Sequence, residues 1–267
     1  MIHYKIVTSP IDKQHMKEAF QLFFKSVYGQ ELDDMNWEHQ FIHTPYEDSS
    51  LFLAYDDTQI IGSSLMIPQK YKTASDTGDY YLWTTSAIAK PYRAKGVYAK
   101  LLELQRNQAT AKKKDFIFAF PNKLAYPVVK LFGGFKDLGK TELVKANIHD
   151  IDYNNIINTL VIDQAFSRWR FEHKPYRFYL HGKYVIIAKE FQKTLDVLAI
   201  YPQEILEEFE IEYTTDSLNT DIITLKSFLK KDSVSEVIDV VRGVYFPINK
   251  EIDYTKMKLN LLMSDVF

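Results

Sequence analysis

The stretch SAIAKPYRAKGVYAKLL, residues 86–102, constrains the fold more than any other. An apolar run reaches Pro91. Two basic residues, Arg93 and Lys95, then flank Ala94, and Gly96 opens a segment with helical apolar spacing. A strand is therefore delivered through a basic glycine turn into the start of an amphipathic helix. The first N–H groups of a helix have no internal partner and sit at the positive end of its dipole. Gly96 has no Cβ, so an anion can approach that backbone closely. Arg93 and Lys95 add charge beside it. The segment has the makings of a pyrophosphate cradle, though G-x-x-x-x-G-K-[ST] and G-x-G-x-x-G are both absent. Gln59-Ile60-Ile61-Gly62 shares the looser Q/R-x-x-G spacing, but it lies inside a strand hairpin where it can cradle nothing.

The elements around this turn define a mixed α/β unit. Tyr4 to Thr8 alternates as a strand, and Ser9-Pro10-Ile11-Asp12 then starts a helix running to about Val27. A shorter helix is expected from Trp37 to Ile42. SSLFLAYDDTQIIGSSLMI reads as a hairpin turning at Asp56-Asp57, and DYYLWTTSAIA as the next strand. A helix from Gly96 to about Lys113 follows, then DFIFAF, a strand apolar throughout and so buried in a sheet. PNKLAYPVVKLFGGF supplies a turn, a short helix and a glycine stop before the strand TELVKANIH. The expected division is 1–150 and 151–267. The second part has a helix at Asp163 to Phe171, strands in RFYLHGKYVIIAKE and TLDVLAIYP, helices near Glu204 to Phe209 and Leu218 to Lys231, and a strand at Glu236 to Val241. One echo links the parts. Trp37, His43, Pro45 and Tyr46 recur in the same order as Trp169, His173, Pro175 and Tyr176, each set leading into a strand pair. This suggests a duplicated unit; chance similarity of two aromatic helix ends is the alternative.

Composition removes several chemistries. The 267 residues include no cysteine, which excludes a disulfide framework, a zinc–thiolate site and a cysteinyl acyl intermediate. A net charge of -2 gives no general grip on nucleic acid. The N-terminus lacks a signal-peptide pattern and no apolar run nears a membrane span, so a cytoplasmic protein without membrane contact is expected. His39 and His43 are spaced i, i+4, but no third ligand accompanies them, so no metal site is expected.

The arrangement of Arg93 to Gly96 between an antiparallel-looking sheet and a helix resembles the acyl-CoA cradle of the GCN5-related N-acetyltransferases (GNAT family). Their motif is Q/R-x-x-G-x-G/A, here Arg93-Ala94-Lys95-Gly96-Val97-Tyr98. The final position departs from it: Tyr98 replaces a small residue. A second match lies in FPNKLAYPVVKLFGGF, where Asn122, a short helix and Gly134-Phe135 follow the buried strand. The resemblance covers about residues 3–148. It implies an α+β fold with a mostly antiparallel central sheet flanked by helices, with the second part a smaller GNAT-like subdomain. Acetyl-CoA is the implied co-substrate, held by Arg93 to Tyr98, the strand end at Ile88 and Ala89, and Asn122.

The implied reaction is direct attack of a primary amine of a small molecule, of amino-sugar or amino-acid type, on the acetyl thioester. The family's general-acid tyrosine falls at Val129 here, so Tyr126 is the nearest substitute. Glu31, with Asp33 and Glu38, borders the implied acceptor side and is the candidate base. Thr84 and Thr85 could orient a water. Two other readings stay open: an acyl-CoA-binding module without catalysis, and a FemX-like aminoacyl transferase. Trp169-Arg170 could form a substrate wall, or simply core.

Overall fold

A computed structural model describes residues 1–46, 49–156, 159–172, 176–191, 194–214, 221–251, 260 and 263. The echo residues His173 and Pro175, and positions 218–220 of the last expected helix, lie outside the described residues.

Among the described residues eleven strands form one sheet. In chain order they are β1 (Ile2–Val7), β2 (Ser50–Asp56), β3 (Gln59–Lys72), β4 (Thr77–Ile88), β5 (Phe116–Ala119), β6 (Lys136–Asn147), β7 (Tyr176–His181), β8 (Tyr184–Phe191), β9 (Thr194–Pro202), β10 (Asp221–Leu225) and β11 (Glu236–Pro247). Their spatial order is β1-β2-β3-β4-β5-β11-β6-β10-β9-β8-β7. Only β4–β5 and β9–β10 pair in parallel; every other neighbouring pair is antiparallel. From one side four antiparallel strands (β1–β4), and from the other three (β7–β9), meet one parallel neighbour, which then meets a strand from the other half of the chain. β11 closes against β5, and β6 closes against β10. The two halves thus exchange their last strands across the central β6–β11 pair.

Both faces of the first strands are buried. Leu51 and Leu53 of β2 point into one cluster with Phe20, Phe24, Trp37 and Phe166, while Phe52 and Ala54 point into another with Val97, Leu101 and Val129. This is the period-two alternation of a strand between two helical layers. The helices are α1 (Pro10–His15), α2 (Lys17–Tyr28), α3 (Asp34–Trp37), α4 (Val97–Ala111), α5 (Ala125–Leu131), α6 (Gln164–Phe171) and α7 (Gln203–Leu206). α2 and α6 cover one face and α4 and α5 the other. Ser9 caps α1 through its side-chain oxygen, as the sequence suggests, and Asp163 caps α6 in the same way.

Several boundaries differ from expectation. The single helix expected up to Val27 is broken at Met16 into α1 and α2. After α3, residues 38–42 widen into a π-helical turn, closed by His43 N–H to the Glu38 carbonyl at 2.7 Å. The helix expected from Leu218 to Lys231 is instead β10 over its residues 221–225. There the β-branched run Ile222-Ile223-Thr224 packs its side chains between neighbouring strands, overriding the helical spacing. The Glu204–Phe209 helix shortens to α7, and the last strand extends to Pro247.

Candidate active site

β4 pairs with β5 only from Tyr80↔Phe116 to Trp83↔Ala119. Beyond Trp83, β4 runs on to Ile88 with no strand on its β5 side among the described residues, so the sheet splits there. A bulge opposite Ser63–Leu65 coincides with Thr85, which holds a left-handed φ of 50°. Its carbonyl accepts from Ser63 Oγ at 3.3 Å, and the Ser86 carbonyl accepts from Tyr28 Oη at 3.0 Å. The last residue of α2 is thereby tied to the end of β4. Under the bulge, Ser64, Trp83, Ser86 and Gln105 form a buried hydrogen-bonded cluster, with Ser64 Oγ and Ser86 Oγ 2.7 Å apart.

Ladder geometry sorts the two expected strand-end residues. The Ala89 N–H donates to the Ile61 carbonyl at 2.8 Å and is committed to the sheet. Alternate residues of an antiparallel strand turn their polar groups to opposite sides. Ile88 N–H and C=O therefore face the open side of β4, where the Ile88 carbonyl accepts from Arg93 Nε at 3.1 Å. Of the pair, Ile88 presents a backbone donor to the cleft and Ala89 does not.

The turn has the form a cradle requires. Ala94 (φ 68°) and Gly96 (φ 78°) are both left-handed, and Gly96 is the N-cap of α4. A Cβ on Gly96 would meet nothing within 4 Å, so the backbone faces open space. Val97 is buried beneath it. Tyr98 packs beside Trp83, ring centroids 6.0 Å apart, with its hydroxyl buried. Its bulk is taken up by the helix–sheet contact, and burial pushes its hydroxyl pKa up. The Lys95 ammonium sits 4.7 Å over the Tyr92 ring, whose hydroxyl donates to Asp56 at 2.8 Å. Gly62 of the looser motif is packed within β3: a Cβ there would lie 2.8 Å from Ile88 Cδ1, so closeness rather than anion contact explains it.

Asn122 caps the start of α5, its Oδ1 accepting from Leu124 N at 3.1 Å and Ala125 N at 2.9 Å. Tyr126, one turn on, donates to Asp137 Oδ1 at 2.8 Å, which raises the tyrosine pKa and holds it protonated. The Arg242 guanidinium, from β11, lies 5.3 Å over the Tyr126 ring. Val129 is buried in the core, so no side chain from that position reaches the surface. Tyr126 packs against the same apolar cluster as Val97 and Tyr98 of α4.

The expected acids stand apart from this group. Glu31 is exposed and paired with Lys25 at 2.7 Å, which holds its carboxyl below the usual range. Asp33 caps α3 by accepting from Asn36 N at 2.7 Å. Glu38 lies 3.7 Å from Lys17 and 3.5 Å from His43. His39 is buried and stacked on Trp169, whereas His43 is largely exposed, so the two do not converge. Trp169 and Arg170 are core residues, buried to 5% and 1% exposure. The sequence reading missed Tyr28, Asp137 and Arg242. Only Tyr28 carried a signal, as the last helical residue before Gly29.

No family model and no curated protein matches the sequence. Solved structures do match in fold. A GCN5-related N-acetyltransferase from Kribbella flavida superposes over 93% of this chain and 72% of its own, with TM-score 0.66 and 9% identity. One from Anabaena variabilis covers 92% of this chain and 73% of its own, with TM-score 0.61 and 10% identity. Eis1 from Mycobacterium abscessus covers 92% and 74%, with TM-score 0.59 and 9% identity. This chain thus has the fold of the GCN5-related N-acetyltransferases.

Proposed function

We propose that the protein transfers an acetyl group from acetyl-CoA to a primary amine of a small molecule. The observation that carries this is the left-handed Gly96 at the head of α4, opening onto empty space beside the β4 split. The donor set fits a pyrophosphate there: free helix N–H groups, a glycine without Cβ, and the Arg93 and Lys95 side chains. Ile88 N–H faces the cleft and can hold a carbonyl oxygen as negative charge develops on it. When bound, acetyl-CoA supplies a thioester carbonyl that an amine can attack.

Tyr28 and the serine cluster fix the bulge, and so the position of the Ile88 donor. Tyr126, kept protonated by Asp137, is the candidate proton donor to the leaving thiolate. Glu31 remains the candidate base as the family resemblance places it. Its pairing with Lys25 means that it must be released to accept a proton. Residues 1–150 are proposed as the acyl-transfer unit and 151–267 as a smaller second unit of the same design; the mirrored pairing about β6–β11 supports this.

A second reading is acyl-CoA binding without turnover, favoured by the buried Val129 and the engaged Glu31. Incubation with acetyl-CoA and a panel of amino sugars and amino acids, following release of the CoA thiol, separates the two. Amine-dependent release supports the transferase. Binding of acetyl-CoA with no release on any amine supports the binding module.

A further inference from the structure

α5 has no polar face. Leu124 and Phe132 bound it with helical backbone angles, and Lys130 is its one charged residue. Leu124, Pro127, Val128, Leu131 and Phe132 fall at i, i+3, i+4, i+7 and i+8, so they share one side. Val129, on the other side, is buried in the core. A helix that is apolar all round belongs in an interior. Here Leu124, Leu131 and Phe132 are instead 84%, 78% and 72% exposed.

The bare surface continues onto β11. Lys123 Nζ, next to Leu124, lies 3.2 Å from Asp239, and the Arg242 guanidinium stacks on the Tyr126 ring. The start of α5 is thereby held against the first half of β11. Val237 and Ile238 are half exposed there, and Val234, just ahead of the strand, is 90% exposed.

Size and charge together identify what covers this surface. Its six large side chains, Leu124, Leu131, Phe132, Val234, Val237 and Ile238, offer on the order of 500 Å² of apolar area. A standard interface buries about 800 Å² per partner, and roughly two-thirds of a homodimer interface is apolar, so the areas agree. The rim carries both signs: Lys123 is paired with Asp239, and Lys130 with Asp137 at 2.8 Å. An anionic bilayer would call for uncompensated cations around the apolar centre. A two-fold contact sets the same patch on both subunits, so a lysine of one copy must find a carboxylate on the other. A rim of mixed sign meets that condition.

We propose that α5 and the start of β11 form a self-association surface whose occupant is a second copy of this chain, in an isologous two-fold dimer. The proposal does not rest on the acyl-transfer reading.

Sedimentation velocity of the full chain across the micromolar range tests it. A dimer is expected. Leu131→Glu/Phe132→Glu places two charges in the apolar centre and should weaken association by about a hundredfold or more, leaving a monomer that circular dichroism shows to be folded. Leu22→Glu replaces a leucine of α2 that is 71% exposed on the opposite face of the sheet, and should stay dimeric. The chain has no cysteine, so Leu131→Cys treated with a short bis-maleimide should give a covalent dimer, and Leu22→Cys should not. This arm decides the matter even if the double glutamate variant fails to fold. Monomeric wild type throughout the range, a dimer unchanged in the folded double variant, loss of the dimer in Leu22→Glu, or equal cross-linking of the two cysteine variants would each overturn the proposal. So would monomeric wild type bound to phosphatidylserine vesicles and released by Leu131→Glu/Phe132→Glu, which would assign the patch to a bilayer.

Discussion

Arg93 Nε donates to the Ile88 carbonyl at 3.1 Å, so the basic residue of the turn is anchored to the strand end whose backbone faces the cleft. The contact spans five residues and fixes the loop between β4 and α4 before any anion arrives. Arg93→Met should therefore lower acetyl-CoA affinity while barely affecting the fold. A charge-assisted hydrogen bond is worth about 1.5–3 kcal/mol, so a loss of roughly tenfold or more is expected by calorimetry. The thermal midpoint should move by no more than a degree or two, because the side chain is exposed. Unchanged affinity would remove Arg93 from the cradle.

Gly96 holds φ 78° with no neighbour where a Cβ would sit. Gly96→Ala then carries only the backbone cost of a left-handed residue, about 1 kcal/mol. Urea unfolding should show that loss with an unchanged slope. A loss of several kcal/mol would mean a steric conflict the structure does not contain.

Lys13 is buried at 1% exposure and donates to Ser49 Oγ at 2.7 Å. Burial alone lowers its pKa from 10.5 to about 8. Between pH 8 and 10.5 the unfolded chain binds more protons at this residue than the folded one, so stability rises with pH across that window. Below pH 8 the folded protein carries the cost of a buried charge. Lys13→Met should therefore be more stable than wild type at pH 7, and Ser49 keeps Thr44 as a partner at 2.8 Å. The difference should shrink as pH rises through 8 to 10.5. A difference constant with pH would show that Lys13 is not desolvated.

β11 lies between β5 and β6, so neither half can unfold without opening the central pairs of the other. Urea unfolding followed by tryptophan fluorescence and by far-UV circular dichroism should give one coincident transition. Two separate transitions would contradict the strand exchange. Truncation before Glu236 should abolish folding of residues 1–150 as well.

The strand, basic glycine turn and helix around Arg93 to Gly96 were legible because everything that sets them lies within those residues and the elements touching them. Ser9 and the buried strand Phe116 to Ala119 were legible for the same reason: local chemistry fixes caps and apolar strands. What could not be read depends on distant pairing. Tyr28 meets Ser86 across 58 residues, and Arg242 reaches Tyr126 only because β11 enters the sheet beside β5. Ile222 to Leu225 misled because a short apolar run does not distinguish a strand from a helix until its neighbours are known. The commitment of the Ala89 N–H to Ile61 follows from ladder parity, which depends on a bulge that the sequence does not show.

The most direct test is calorimetric titration of acetyl-CoA into wild type and Gly96→Trp, with both shown to be folded by circular dichroism. Micromolar binding by wild type, lost in the variant, is the predicted result and places the pyrophosphate at the head of α4. Absence of binding by folded wild type, or equal binding by both proteins, would contradict it.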